Sequence, residues 1–326
     1  MDDEAWKPTR PTDLERDHMP FTSKPLLPFL IAASCGLPLG GTAVASTVSA
    51  SLVYEYDAAF GADDGNTVWE AGISNPSYNR DWSMSGQTFL SNAGSSHAGI
   101  TSAYAFSGST SGGGTSSFGK SSLPLGGSTN AERASTAWEI WVRPGASAFD
   151  DIGNETLFET GGSNTGGHLA FVAADGGATL RFRTGVTSLG TPSESTLDHS
   201  ITDDALLNDF IQIVGVVDPD SASQKMRLYV NGALVGSLGS YANWSNGNNA
   251  AGLGKVNGTF GGGFADSSGS FFGDIASLRL YDGALSDADV SNLYDDMAYG
   301  ASNAVPGLGG LGTFSCLGLI GRRRRR

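Results

Sequence analysis

Cysteine is nearly absent. The two residues present, Cys35 and Cys316, stand near opposite ends of 326 residues, so the body between them has no internal disulfide and must be held by its core. Charge is sparse as well. Asp, Glu, Lys and Arg make up 16% of the chain, too little for charge-driven disorder or for a coiled coil. Positive charge is the scarcer sign, with 19 Lys and Arg against 33 Asp and Glu, and the net charge of −14 argues against nucleic-acid binding through phosphates. Only four histidines occur. His97, His168 and His199 lie far apart, with no metal-ligand spacing and no Ser-containing elbow. Gly261-Gly262-Gly263 lacks the following Lys-Ser/Thr that a phosphate loop requires. What abounds is glycine, 47 residues without a Gly-x-y period, which removes collagen and argues against a mostly helical fold.

The longest hydrophobic runs lie near the ends, and they too are short. After Lys24, an apolar run from Leu26 to Leu39 leads to Ala43-Val44-Ala45 before Ser46. Small residues at that spacing suit signal peptidase, so residues 1–45 read as a signal region rather than a buried strand or membrane anchor. Met1 to His18 carries six acids, unlike the basic start of a signal, and translation is expected to begin at Met19. Cys35 follows Ala32-Ala33-Ser34, without the leading Leu of a lipidation site.

At the other end, Val305-Pro306-Gly307 opens a Gly/Leu-rich apolar stretch to Ile320, and Arg322, Arg323, Arg324, Arg325 and Arg326 close the chain. An apolar segment followed by a cationic cluster is a stop-transfer pattern, here short for a permanent membrane helix. Residues 305–326 resemble the PEP-CTERM family of bacterial sorting signals. They depart from it at Val305-Pro306-Gly307-Leu308, where the family has Val-Pro-Glu-Pro. The resemblance implies transient membrane insertion, processing by an exosortase-type enzyme, and delivery to the envelope, outer surface or matrix of a Gram-negative-type bacterium; the alternative is a plain tail anchor. Between the ends, residues 46–304 hold ten Lys and Arg against 27 Asp and Glu, a charge of about −17. Such an acidic body suits a soluble extracellular setting.

That body reads as all-β. Thr136, Trp138, Ile140 and Val142 alternate with Ala137, Glu139, Trp141 and Arg143 until Pro144-Gly145. Thr156–Thr160, His168–Ala174 and Thr179–Thr184 form a meander with Asp175-Gly176-Gly177 as a hairpin turn. Phe210–Val217 is apolar on both faces, as a central sandwich strand should be. Lys225–Val230 and Ala233–Leu238 flank Asn231-Gly232, a type I′ turn signal, and Phe271–Tyr281 is the last long strand. Then the period changes: Ser286 caps a short helix with Asp289 three positions on, and Val290, Leu293, Tyr294 and Met297 share a face. Ser107–Asn130 is a long Ser/Gly loop, and Asp218 and Asp220 flank a turn at Pro219.

In this order the elements resemble the LamG-like jelly roll of the concanavalin A-like lectin/glucanase superfamily. Four segments carry the resemblance: Ala137–Pro144, Glu155–Phe158, Arg227–Gly232, and Phe272–Ile275 with Leu278–Tyr281 and Ala284–Ser286. It implies a two-sheet antiparallel jelly-roll sandwich with one short C-terminal helix. In the superfamily's hydrolases, carboxylates alternate along one strand as Glu-x-Asp-x-(x)-Glu, one serving as nucleophile and one as acid. Here only Glu139 is present, with Trp141 and Arg143 where its partners should stand.

The resemblance therefore implies a secreted, non-catalytic module that binds extracellular polysaccharide or a surface protein. A diverged glycoside hydrolase or polysaccharide lyase, and a purely structural surface protein, remain alternatives. Candidate sugar-binding residues are Glu139, Trp141 and Arg143, which share one sheet face, together with Trp82 and Trp244 in polar loops. A Trp at the position of Trp141 also fills the cores of family members that bind nothing, and core packing is its expected role. No cofactor is required; if calcium binds, Asp57, Asp63, Asp64 and Asp274 are its candidate ligands. Many relatives carry Asp-Glu after the Ile of the closing strand, where this chain has Ala276-Ser277.

Overall fold

A computed structural model describes residues 50–60, 62–63, 68–72, 81–84, 86–108, 114–115, 135–145, 155–160, 165–174, 177–186, 193–201, 209–242, 251–255 and 269–300. Residues 1–45, the tail 305–326 with Val305, Pro306 and Arg322–Arg326, and the candidates Asp64 and Trp244 lie outside them. Twelve strands of three residues or more are described. They are β1 (Ser51–Asp57), β2 (Thr88–Leu90), β3 (Ala103–Ser107), β4 (Thr136–Pro144), β5 (Glu155–Glu159), β6 (Thr165–Ala174), β7 (Gly177–Val186), β8 (Ser193–Ile201), β9 (Ile211–Val217), β10 (Met226–Val230), β11 (Ala233–Leu238) and β12 (Phe272–Asp282). One helix, α1 (Asp287–Tyr299), follows.

Two sheets stack as a jelly-roll sandwich. The first runs β11-β10-β9-β4-β12-β3-β2, and β1 pairs with the second half of β12. The second runs β8-β7-β6-β5 and continues through the two-residue strands Gly252–Leu253, Gly114–Thr115, Trp82–Ser83, Val68–Trp69 and Ala62–Asp63. Gly269–Ser270 pairs with β5 in parallel. The expected strands appear within a few residues of their predicted ends. Gly114–Thr115, inside the stretch read as a loop, pairs with Gly252–Leu253, and the polar strand β8 had no apolar alternation to announce it. No helix among the described residues is long and apolar enough to cross a membrane.

The core between the sheets is aromatic. Trp138 of β4 meets Phe158 of β5 and Phe182 of β7 edge-on, with ring centroids 5.8 Å and 5.4 Å apart. Gly167 of β6 faces the same ring so closely that a Cβ there would enter the Trp138 indole. Trp138, Ile140 and Val142 face this core, as alternation requires, while Ala137, Glu139, Trp141 and Arg143 point away from it.

The outward face of the first sheet is covered in part by α1. Ser286 accepts a hydrogen bond from the Asp289 amide, and the Asp289 carboxylate accepts from the Ser286 amide, so both ends of a capping box are closed. Gly300 ends the helix in the left-handed region at φ 63°. Val290 and Leu293 pack with Ala137, Val214, Val216, Tyr229 and Tyr281, and Met297 packs with Ala103, Trp141, Phe210 and Ala276. Asn231 and Gly232, at φ 49° and 78°, make the expected two-residue turn between β10 and β11.

Candidate functional site

Glu139 sits at the centre of the outward face of the first sheet and is wholly buried. Its Oε1 accepts hydrogen bonds from Trp141 Nε1 at 2.9 Å and from Gln212 Nε2 of β9 at 2.8 Å. Its Oε2 accepts one from the Tyr281 hydroxyl at 2.8 Å and lies 3.5 Å from Arg279 Nη1. Arg279 in turn donates through Nε to Glu55 Oε1 at 2.9 Å. Burial alone would weaken the Arg279 cation; the carboxylates of Glu139 and Glu55 outweigh that and hold its pKa above the usual value. Burial, with Glu139 alongside, drives the Tyr281 phenol well above its usual range. Every oxygen of the one carboxylate that the glucanase pattern retained is thus occupied by protein donors.

Trp141, two residues on, is fully enclosed. Its ring stacks on Tyr294 of α1 at 5.7 Å and 7°, and His97 meets it edge-on at 5.2 Å. His97 Nε2 lies 2.8 Å from the Phe210 carbonyl, and Asp209 beside it accepts from the hydroxyls of Ser95 and Ser96 and from the Ser96 amide. These amide and hydroxyl donors outweigh burial and lower the Asp209 pKa. The segment 93–103 and α1 therefore close over Trp141, and as placed it offers no open face to a sugar.

The face opens toward the other end of β4. Arg143 and Asp274 of β12 are paired in register, and Nε and Nη2 of Arg143 donate to Asp274 Oδ2 at 2.9 Å and 2.7 Å. The guanidinium also lies over the Phe210 ring, 4.8 Å from its centroid. Arg143 Nη1 and Asp274 Oδ1 make no hydrogen bond among the described residues, and both side chains are partly open to solvent, at 23% and 16%. Two residues before Asp274 on the same face is Phe272, 42% exposed and one of the few large apolar side chains left in solvent. Its ring rests against Gly145 and Gly108, where a Cβ would collide with it or press on it. Its amide is anchored to Glu155 Oε2 at 3.1 Å. The structure thus brings together Arg143, a candidate sugar-binding residue by sequence, and Asp274, a candidate calcium ligand.

The remaining candidates are scattered. Trp82, expected in an exposed loop, is instead buried in the core, edge-on to Tyr56 and Phe158, because Trp82–Ser83 is a strand of the second sheet. Asp57 accepts the Ala59 amide at 2.8 Å in the turn that leaves β1, and burial outweighs that bond and Arg279 to raise its pKa. The backbone of Asp63 pairs with Val68. Among the described residues no three His, Cys, Asp or Glu side chains gather around a point where a metal could sit.

One polar row escaped the sequence reading. On the outward face of the second sheet, Glu159 of β5 stands opposite His168 of β6, which stands opposite Arg183 of β7. All three are buried, and His168 Nε2 lies 3.1 Å from Thr156 Oγ1. The residues are nine and fifteen apart in sequence, so only the strand register reveals the row.

The sequence profile of a family described as the concanavalin A-like lectin/glucanases superfamily matches residues 118–291. No curated protein matches the chain. Among solved structures, the binding domain of botulinum neurotoxin serotype D is similar at 12% identity and TM-score 0.51, over 75% of this chain and 50% of that one. A botulinum neurotoxin type C structure, for which cell entry depends on interaction with two ganglioside molecules, is similar at 12% identity and TM-score 0.52, over 76% and 52%. The type G receptor-binding domain is similar at 12% identity and TM-score 0.50, over 75% and 51%. At such identity the likeness concerns the fold, and this chain spans about half the length of the structures it matches.

Proposed function

The chain belongs to the concanavalin A-like lectin/glucanases superfamily, and from that premise we propose that it is a non-catalytic binding module for an extracellular carbohydrate or a surface protein. The observation that carries the reading is the state of Glu139. A retaining or inverting glycosidase needs two accessible carboxylates flanking the bond to be cut. Glu139 is the one acid of its strand, and it is sealed among Trp141, Gln212, Tyr281 and Arg279. The ganglioside dependence of the type C neurotoxin, which shares the fold, supports carbohydrate as the partner class. Export is part of the same proposal: residues 24–45 act as a signal and residues 305–326 as a sorting or anchoring segment, which deliver the body to the cell surface. Probing a glycan array with the full chain, with and without added calcium, tests the reading. Binding to at least one glycan is expected, and silence across the array in both conditions removes the carbohydrate version.

A second reading is favoured by the row Glu159, His168 and Arg183. An acid, an imidazole and a guanidinium in adjacent register positions are groups that a diverged hydrolase or lyase could use, but all three are buried, as Glu139 is, so this reading requires that a substrate uncover them. Turnover of a polysaccharide panel that disappears in Glu159→Gln would establish that alternative.

A further inference from the structure

We propose that Phe272, Arg143 and Asp274 form a binding site for a single neutral hexopyranose residue. The inference rests on the binding function proposed above and gives that function a place and a ligand class. Three observations meet at this point of the outward face. The first is an aromatic ring held in solvent. Phe272 is 42% exposed although it lies on a long central strand, and glycines at 108 and 145 leave the room in which its ring lies. Any side chain at position 145 would displace the ring, so the platform is built by the sequence around it. The apolar C–H face of a pyranose stacks on such a ring.

The second is a donor and an acceptor left over from one ion pair. Both bonds from Arg143 fall on Asp274 Oδ2, which leaves Arg143 Nη1 as a donor and Asp274 Oδ1 as an acceptor with no partner among the described residues. A pair of neighbouring sugar hydroxyls can accept from one and donate to the other, because a hydroxyl does both. The third is pre-organisation. Arg143 is held by Asp274 on one side and by the Phe210 ring on the other, so ligand binding orders no free side chain there.

The same pair sets the charge of the ligand. The guanidinium is already neutralised by Asp274, so a uronate or sulfate would meet a carboxylate within the site and a body of about −17 around it. Neutral hexoses are therefore the expected class, and one Phe ring supplies contact for one sugar residue.

Saturation-transfer NMR on the full chain, with methyl β-D-glucopyranoside, methyl β-D-galactopyranoside, methyl α-D-mannopyranoside and methyl β-D-glucuronide as probes, tests the site. Phe272→Leu keeps an apolar side chain on the glycines but removes the flat ring, and Phe272→Trp enlarges it. At least one neutral glycoside is expected to receive saturation from the wild type and from Phe272→Trp. The effect should fall at least tenfold in Phe272→Leu at an unchanged Tm. A neutral glycoside bound equally well by Phe272→Leu overturns the site while leaving the binding function in place. Preference for the glucuronide overturns the ligand class. Failure of every neutral glycoside overturns this inference, and the glycan array then decides separately whether the module binds carbohydrate at all.

Discussion

Replacing Glu139 measures what the buried network contributes. In Glu139→Ala, Trp141 Nε1, Gln212 Nε2 and the Tyr281 hydroxyl all lose the acceptor they now reach within 2.9 Å, and Arg279 keeps only Glu55. An orphaned buried donor costs about 1–3 kcal/mol, and removing one member of a buried ion pair about 3–5 kcal/mol. These terms overlap because all four donors share one carboxylate, so the total is set near the upper end of the pair term, about 4–5 kcal/mol. For a domain of this size each kcal/mol lowers Tm by about 2–4 °C, which gives a fall of roughly 8–20 °C. Glu139→Gln keeps one acceptor oxygen but places an amide N–H toward Arg279 or Tyr281, and its cost should be smaller, about 1.5–3 kcal/mol. Denaturant unfolding of the full chain, followed by tryptophan fluorescence, reads both values. A cost below about 1 kcal/mol for Glu139→Ala would refute the role of this carboxylate as the hub of the outward face. Equal costs for Ala and Gln would show that charge, not acceptor count, governs it.

Gly167→Ala should cost about 1–3 kcal/mol or more, because its Cβ would press into the Trp138 ring; a Tm within 1 °C of wild type would contradict the packing. Burial raises the Tyr281 pKa, so its contribution is complete below about pH 10, the value for a free tyrosine, and is lost as pH rises beyond it. Tyr281→Phe should therefore lose less stability than wild type between pH 9 and 11, as read by Tm against pH, and identical slopes would contradict the assignment. The raised pKa of Asp57 has the same sign: stability is complete below the unfolded value of 3.8 and falls as pH rises through the folded value. Asp57→Asn keeps the acceptor for the Ala59 amide and is expected to raise Tm at pH 7 but not near pH 3. A lower Tm at pH 7 that appears only with added calcium would instead make Asp57 a cation ligand.

Where sequence signals were local, they located the elements. Asn231-Gly232 specified a two-residue turn through its left-handed backbone, and Ser286 with Asp289 specified the helix start through reciprocal hydrogen bonds. The alternation from Thr136 to Arg143 assigned every side chain of β4 to a face. Alternation does not say what covers a face, however. Glu139-x-Trp141-x-Arg143 fits both an open aromatic between polar groups and the core packing expected of Trp141; the second holds, because Tyr294, 153 residues on, stacks on Trp141. Trp82 did mislead: its neighbours in sequence are polar, while its neighbours in space are Tyr56 and Phe158. The row Glu159, His168 and Arg183 and the pair Arg143 and Asp274 both exist through strand register, which depends on which strands pair and where.

α1 divides the outward face of the first sheet into a covered and an uncovered part. Toward the middle of β4, the helix supplies Val290, Leu293, Tyr294 and Met297, and the polar groups beneath it are paired with one another. A buried carboxylate is tolerable there only because Arg279 and three uncharged donors surround it. Toward Pro144 no helix among the described residues covers the sheet, and the groups left are an exposed ring and an ion pair with two polar atoms that have no partner among those residues. The covered half gains packing and closes its chemistry, whereas the other half keeps hydrogen-bonding capacity that no described residue uses. Binding is therefore expected where the helix stops, at Phe272, and stability where it lies, at Glu139. The two substitutions should separate cleanly: Phe272→Leu changes sugar contact without changing Tm, and Glu139→Ala lowers Tm sharply while leaving the geometry of the Arg143–Asp274 pair intact in molecules that remain folded.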